Sequence, residues 1–214
     1  MSVSTPKQPG TLRIRVFVDF WNFSLSLRRA DETFMVDWRP IGHVFTREAG
    51  KVIDPTSRAS FEGLHVYGSY NPYGNDHKFR NWFSNVLDKM PGVHATLRQR
   101  QKVKSPPKCP ACQAEVPVCV SCGADMRGTQ EKGIDTAIAT DMIKLAWADA
   151  YDAAVTVSAD KDFVPVAEFL QVGGIKVIHG AFPPRGSELS QKCWGSFPIT
   201  PLMPEFAKGA SLRL

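Results

Sequence analysis

Residues 12–20 read LRIRVFVDF. Ile14, Val16 and Val18 alternate with other residues, and the apolar density of the run suits a strand buried between two helical layers, with Asp19 at its end. Outward from it, residues 63–69 (GLHVYGS), 93–103, 153–158 (AAVTVS) and 176–179 (KVIH) carry the same signal. Helical patterns fall between most of them, over 22–30, 77–88, 135–148 and 162–172. In the third, Ile138, Met142 and Leu145 recur at helical spacing, and Gly173-Gly174 offers a stop to the fourth. Strands alternating with helices predict an α/β fold with a central, mostly parallel sheet.

The chain has 214 residues, 43% of them hydrophobic, enough for one packed domain with an insertion and too few for two full domains. Residues 1–10 are polar and read as a disordered N-terminal tail. The domain spans 11–200, and 201–214 form a C-terminal tail without informative pattern. Residues 105–128 interrupt the domain. This stretch is rich in Pro and Cys, cannot bury a core of its own, and reads as a metal-stapled insertion. No internal repeat is evident. A net charge of +5 and a pI near 9.0 mildly favour a phosphate-bearing partner. With no apolar run of bilayer length and no secretory signal, the expectation is a cytoplasmic protein without a membrane partner.

Three parts of the chain place aspartates where the carboxyl ends of strands gather ligand-binding loops. Asp19 ends the first strand, with Asn22 three residues on. Asp135 enters a helix. Ser158, Asp160 and Asp162 follow the strand at 153–157. Taken singly, each aspartate looks like a helix N-cap. Together they would repel one another in a cleft and raise each other's pKa unless a cation were present. An all-oxygen ligand set suits Mg²⁺ or Mn²⁺.

The motifs VDFWN (18–22), KGIDTAIATD (132–141) and SADKDFVPV (158–166) resemble the NYN domain family of the PIN-like nuclease superfamily, in order and over residues 12–180. The resemblance implies a PIN-like three-layer α/β/α sandwich. It further implies that Asp19, Asp135, Asp160 and Asp162 hold Mg²⁺ or Mn²⁺, that Asn22 steers a ligand, water or phosphate, and that Ser158 braces the carboxylates. Asp141 also matches the pattern. It lies about 240° around the helix from Asp135, at roughly 100° per residue, so its place is that of an outer carboxylate or of a surface pair with Lys144.

The chemistry expected is metal-dependent hydrolysis of single-stranded or structured RNA by an endoribonuclease, leaving a 5′-phosphate and a 3′-hydroxyl. No histidine lies in the three motifs, so a 2′,3′-cyclic phosphate product would count against this scheme. The rival is a catalytically silent RNA-binding or regulatory protein. A Mg²⁺-dependent phosphatase ranks last, because its D-x-D motif would need an aspartate where Trp21 stands.

Arg98, Arg100, Lys102 and Lys104 recur at period two, which on one strand would make a phosphate-binding stripe; an ordinary charged edge strand is the alternative. Phe79, Trp82 and Phe83 have helical spacing and should pack, whereas Tyr70 and Tyr73, in a turn-rich loop, are candidates to touch RNA bases. Cys109, Cys112, Cys119 and Cys122 pair as C-x-x-C twice, resembling paired zinc knuckles able to close a structural Zn²⁺ site; disulfides or a redox pair are the alternatives. Cys193 reads as a core residue. A homo-oligomer in which a second subunit completes the binding groove is left open.

Overall fold

In this computed structural model residues 10–209 are described. The tail expected over 1–10 lies outside them but for Gly10, as do residues 210–214. In chain order the elements are β1 (Thr11–Asp19), α1 (Phe20–Ala30), α2 (Ile41–Ile53), β2 (Arg58–Tyr70), α3 (His77–Asn85), β3 (Val93–Gln99), β4 (Gln101–Lys102), β5 (Thr129–Gln130), α4 (Ile134–Trp147), β6 (Ala153–Val157), α5 (Val164–Val172), β7 (Lys176–Ala181), α6 (Ser187–Lys192) and β8 (Gly195–Pro198). A six-stranded sheet has the order β3-β2-β1-β6-β7-β8, and every neighbouring pair in it is parallel.

The alternation along β1 sorts its side chains between two cores. Ile14, Val16 and Val18 face a cluster with Phe23 and Leu27 of α1, Phe45 of α2 and Phe83 of α3. Phe17 faces another, with Ile138 and Met142 of α4 and Val166 and Leu170 of α5. The sheet is therefore the middle of three layers. Phe79, Trp82 and Phe83 pack as their spacing predicts. Met203 and Phe206, in a 3-10 turn over Thr200–Phe206, are buried in the first core, so packing continues past residue 200.

The end of α5 is a Schellman stop. Ile175 N–H reaches Leu170 O at 3.0 Å and Gly174 N–H reaches Gln171 O at 3.0 Å, with Gly174 left-handed at φ +85. At the amino end of the sheet, buried Arg13 joins β1 to the turn before β6. Its Nη2 lies 2.7 Å from Asp149 and 2.8 Å from Asp152, and its Nε donates to Asp152 at 3.1 Å. No helix among the described residues is long and apolar enough to cross a membrane.

The insertion is a duplication, contrary to the expectation of no repeat. PKCPACQAEV (107–116) and PVCVSCGADM (117–126) align Pro, both Cys and one Ala at an offset of ten. Their backbones repeat too. Cys109 N–H bonds Ala114 O at 2.9 Å and Cys119 N–H bonds Ala124 O at 2.8 Å; Val116 N–H bonds Pro107 O at 2.8 Å and Met126 N–H bonds Pro117 O at 3.0 Å. Gln113 (φ 61) and Gly123 (φ 71) take the same left-handed turn position. Neither core includes a described residue between 98 and 133.

Candidate active site

The strand order runs outward in one direction from β1 through β2 and β3, and in the other from β6 through β7 and β8. The crevice at the carboxyl ends of β1 and β6 is thus the topological switch point, where open α/β sheets bind ligands. Val18 pairs with Val157, which sets Asp19 and Ser158, one residue further along each strand, side by side.

Asp19 caps α1, its Oδ1 accepting the N–H of Asn22 at 3.1 Å. It is only 7% exposed. Burial pushes its carboxyl up to about 6; the Asn22 N–H opposes this, and the charges of Glu131 and Asp135 add to it. Asp135, in the first turn of α4, is raised first by burial and then by Asp160, Glu131 and Asp162. Asp160 caps the 3-10 turn after β6, its Oδ1 accepting the N–H of Asp162 at 2.9 Å, while its own N–H donates to Ser158 Oγ at 3.2 Å. Carboxylates from three parts of the chain therefore share one electrostatic neighbourhood. Among the described residues, however, no three His, Cys, Asp or Glu side chains stand close enough to enclose an ion. An open, partly hydrated shell is the arrangement Mg²⁺ accepts.

The surroundings brace this loop. Asn22 Oδ1 accepts the N–H of Ala159 at 3.0 Å, so Asn22 first of all pins the β6 loop to α1. His179 of β7 is buried, which lowers its pKa. Its Nε2–H donates to Ser158 O at 2.8 Å, and its Nδ1 accepts from Ser190 Oγ at 2.7 Å. Sequence reasoning missed His179, whose neighbours in the chain are ordinary strand residues. It also missed Glu131, which accepts from Ser69 Oγ. The signal for Glu131 was an acid four residues before Asp135, between the insertion and the helix, where no element was assigned.

Asp141 has a partner of its own. The hydroxyl of buried Tyr67 donates to it at 2.8 Å, and it lines a groove with Thr96, Arg98 and Thr136. The alternative pair with Lys144 is not what it makes. The four basic residues are not on one strand, because β3 ends at Gln99 and Gln101–Lys102 pair with β5 instead. Arg98 approaches Gly133, whereas Arg100 turns to Ser69 Oγ at 2.9 Å. Lys102 pairs with Asp125 at 3.1 Å and lies 6.0 Å from the Tyr73 ring; Lys104, just before the insertion, is exposed. Tyr70 carries the Arg80 guanidinium at 5.4 Å and lines an open pocket of about 350 Å³ with Asn71, His77 and Gln99. All five cysteines are free thiols. Cys193 packs beside the second core, its thiol pushed up to about 12 by burial.

A sequence model of the NYN domain matches residues 13–198. The chain belongs to the NYN domain family. NYN domains are typically nucleases, and the six-stranded parallel sheet flanked by helices is consistent with a PIN-like fold. This NYN domain is similar in fold to the crystal structure of a protein of unknown function from Vibrio parahaemolyticus, with a TM-score of 0.56 and 20% identity over 91% of this chain and 96% of that one. No curated protein matches the sequence.

Proposed function

We propose that this NYN domain is a metal-dependent ribonuclease acting at the carboxyl ends of β1 and β6. What carries the reading is Asp19, a buried carboxylate held beside Glu131 and Asp135 at the switch point of a nuclease-family fold. A divalent cation is the counter-charge such a group lacks, and the donors are the hard oxygens that Mg²⁺ or Mn²⁺ prefers. Asp19, Asp135 and Asp160 would hold it, with Asp162 completing the site or orienting water. When bound, the cation supplies an acidified water and neutralises charge on the scissile phosphate.

The chain's own residues prepare the site. Asn22 and His179 fix the backbone of the β6 loop, so less ordering entropy is lost there on binding. With its Oδ1 occupied by Ala159, Asn22 would meet a phosphate through its amide N–H. Tyr70 and Tyr73 would contact unpaired bases, and Arg98, Arg100, Lys102 and Lys104 the backbone. RNA is the proposed substrate, cut internally to leave a 5′-phosphate and a 3′-hydroxyl. The four paired cysteines are proposed to hold a structural Zn²⁺.

The test is cleavage of single-stranded RNA in Mn²⁺ by wild type, Asp19→Asn and Asp160→Asn, with folding checked by circular dichroism. Loss of cleavage in both folded variants, with 5′-phosphate ends in the wild-type products, is expected. Full cleavage by either variant rejects the site. RNA binding without cleavage by wild type favours the silent RNA-binding protein instead.

A further inference from the structure

A second pocket opens on the same edge of the sheet as the acidic site. The strands run parallel, so the carboxyl ends of β2 and β3 lie beside that of β1. Asp19 pairs in register with Tyr67. Tyr70, the last residue of β2, lies three residues beyond, which at about 3.3 Å per residue sets it roughly 10 Å further out. Two side chains tie the intervening strand ends. Trp21 donates its Nε1–H to Ser69 O at 2.8 Å, and the Arg100 guanidinium lies 5.5 Å from the Trp21 ring while its backbone N–H donates to Tyr70 O at 2.9 Å. A single strand leaving the acidic site toward β2 and β3 passes Trp21 and Arg100 and reaches this pocket.

The pocket holds about 350 Å³, and Tyr70, Asn71, Asp76, His77, Arg80 and Gln99 are among its walls; ligand pockets start at about 300 Å³. The loop that forms it is braced from within. Asn71 N–H donates to Asp76 Oδ2 at 2.7 Å, Tyr73 N–H to Asn71 Oδ1 at 3.0 Å, and Arg80 N–H to Asp76 O at 2.8 Å, so little ordering entropy is lost when a ligand enters. Asp76 precedes α3 yet makes no side-chain cap bond to it. Tyr70 offers a half-buried ring with the Arg80 guanidinium 5.4 Å from its centre, and an aromatic ring or a guanidinium plane is what an unstacked base stacks on. Asp76 in the same pocket offsets the charge of Arg80 and disfavours a phosphate. A carboxylate needs donors and a guanidinium needs acceptors. Guanine presents both in adjacent pairs, N1–H with the N2 amine, and O6 with N7. Adenine and cytosine set a ring lone pair beside their amine, where it would repel the carboxylate, and uracil has a single ring N–H.

We propose that this pocket is a base-binding subsite for RNA that takes an unpaired guanine beside the acidic site, with Tyr70 stacking on its face, Asp76 accepting from N1–H and the N2 amine, and Arg80 donating to O6 and N7. Arg80 is exposed, so its long stem can follow the base edge. This deepens the ribonuclease reading given above and rests on it for RNA as the ligand. Metal-assisted hydrolysis at Asp19 has no means of reading sequence; a base held roughly 10 Å away fixes which phosphate faces the carboxylates.

The test is the affinity of the full-length protein for fluorescein-labelled oligouridylate and for the same oligomer carrying one central guanine or adenine, read by fluorescence anisotropy in EDTA so that nothing is cut. The guanine probe should bind about tenfold tighter than either of the others, the order of one good two-point base contact. Tyr70→Ala should weaken it about tenfold, and Tyr70→Phe should retain it. Asp76→Asn, which still accepts the Asn71 N–H, should abolish the difference between guanine and adenine, whereas a merely structural loss would weaken all three probes alike. Equal affinity for guanine and adenine, a guanine preference that survives Asp76→Asn, or a wild type that binds none of the probes overturns the proposal. RNA cleavage in Mn²⁺ is mapped in parallel. Cuts at a fixed distance from guanine in wild type, scattered in Asp76→Asn, are expected, and cuts indifferent to guanine overturn the proposal. A chain that prefers guanine in EDTA and cleaves nothing rejects the nuclease reading and leaves the pocket assigned.

Discussion

Asp19 serves two ends that oppose each other. As a cap it satisfies the N–H of Asn22; as a buried carboxylate its pKa rises from its ordinary 3.8 to about 6. The folded chain therefore holds that proton more tightly than the unfolded chain, so without metal the contribution of Asp19 to stability falls as pH rises from about 4 through 6. Asn is an equally good cap without the charge. Asp19→Asn in EDTA at pH 7.5 should be more stable than wild type by about 1–3 kcal/mol, with the gap closing below pH 4, and added Mn²⁺ should raise Tm in wild type only. Scanning fluorimetry checks both. Gly133 precedes α4 at φ 76, where a Cβ would come within 3.1 Å of Arg98 Nη1. Gly133→Ala should cost about 1–2 kcal/mol in urea unfolding and disturb Asp135 with it.

The elements add two polar devices that no motif announced. His65 on β2 stacks between Phe17 and His94 and accepts from Arg15 Nη1 at 3.0 Å. Burial first, then the charges of His94 and Arg15, hold its pKa down at about 3. The unfolded chain binds this proton near 6.5 and the folded chain does not, so stability should fall as pH drops from about 6.5 toward 3, with a slope near 1.4 kcal/mol per pH unit from this group. His65→Gln should flatten that limb of a stability-against-pH curve. Where β1 and β6 begin, Asp152→Asn would leave the buried Arg13 short of its main partner; about 3 kcal/mol of destabilisation is expected from denaturant titration. The strands around the site were legible because parallel strands buried on both faces are continuously apolar. Helix α2 was not. Gly42 and Gly50 lower its intrinsic helix propensity, yet a Cβ on Gly42 would meet the Phe61 ring at 2.5 Å and one on Gly50 the Ala59 Cβ at 2.8 Å, so at both positions glycine permits close packing on β2. β8, four residues ending in Pro, was too short to signal.

At the scale of the whole molecule, a two-sided α/β core carries the site and an exposed insertion hangs from it by one ribbon. Because the insertion supplies no residue to either core, joining Lys102 to Thr129 by a short Gly-Ser turn should leave far-UV circular dichroism unchanged and Tm within a few degrees of wild type. Loss of the native fold in that variant would show that the core depends on the insertion.

The sequence by itself determined the α/β class, the strand carrying Asp19, and the set of aspartates at strand and helix boundaries, because these follow from local periodicity and from what can cap a helix. It also marked the cysteine pairs, though not their duplication, since four matches in ten residues are a faint repeat until the backbones are seen to agree. Only the tertiary structure decided which acids share one field. Glu131 joins Asp19 and Asp135 because the β4–β5 ribbon returns it to the sheet end, Asp141 accepts from Tyr67 across the sheet, and Asn22 and His179 prove to be supports of the β6 loop. Charge, burial and long-range hydrogen bonds depend on distance in space, and spacing along the chain does not encode that distance.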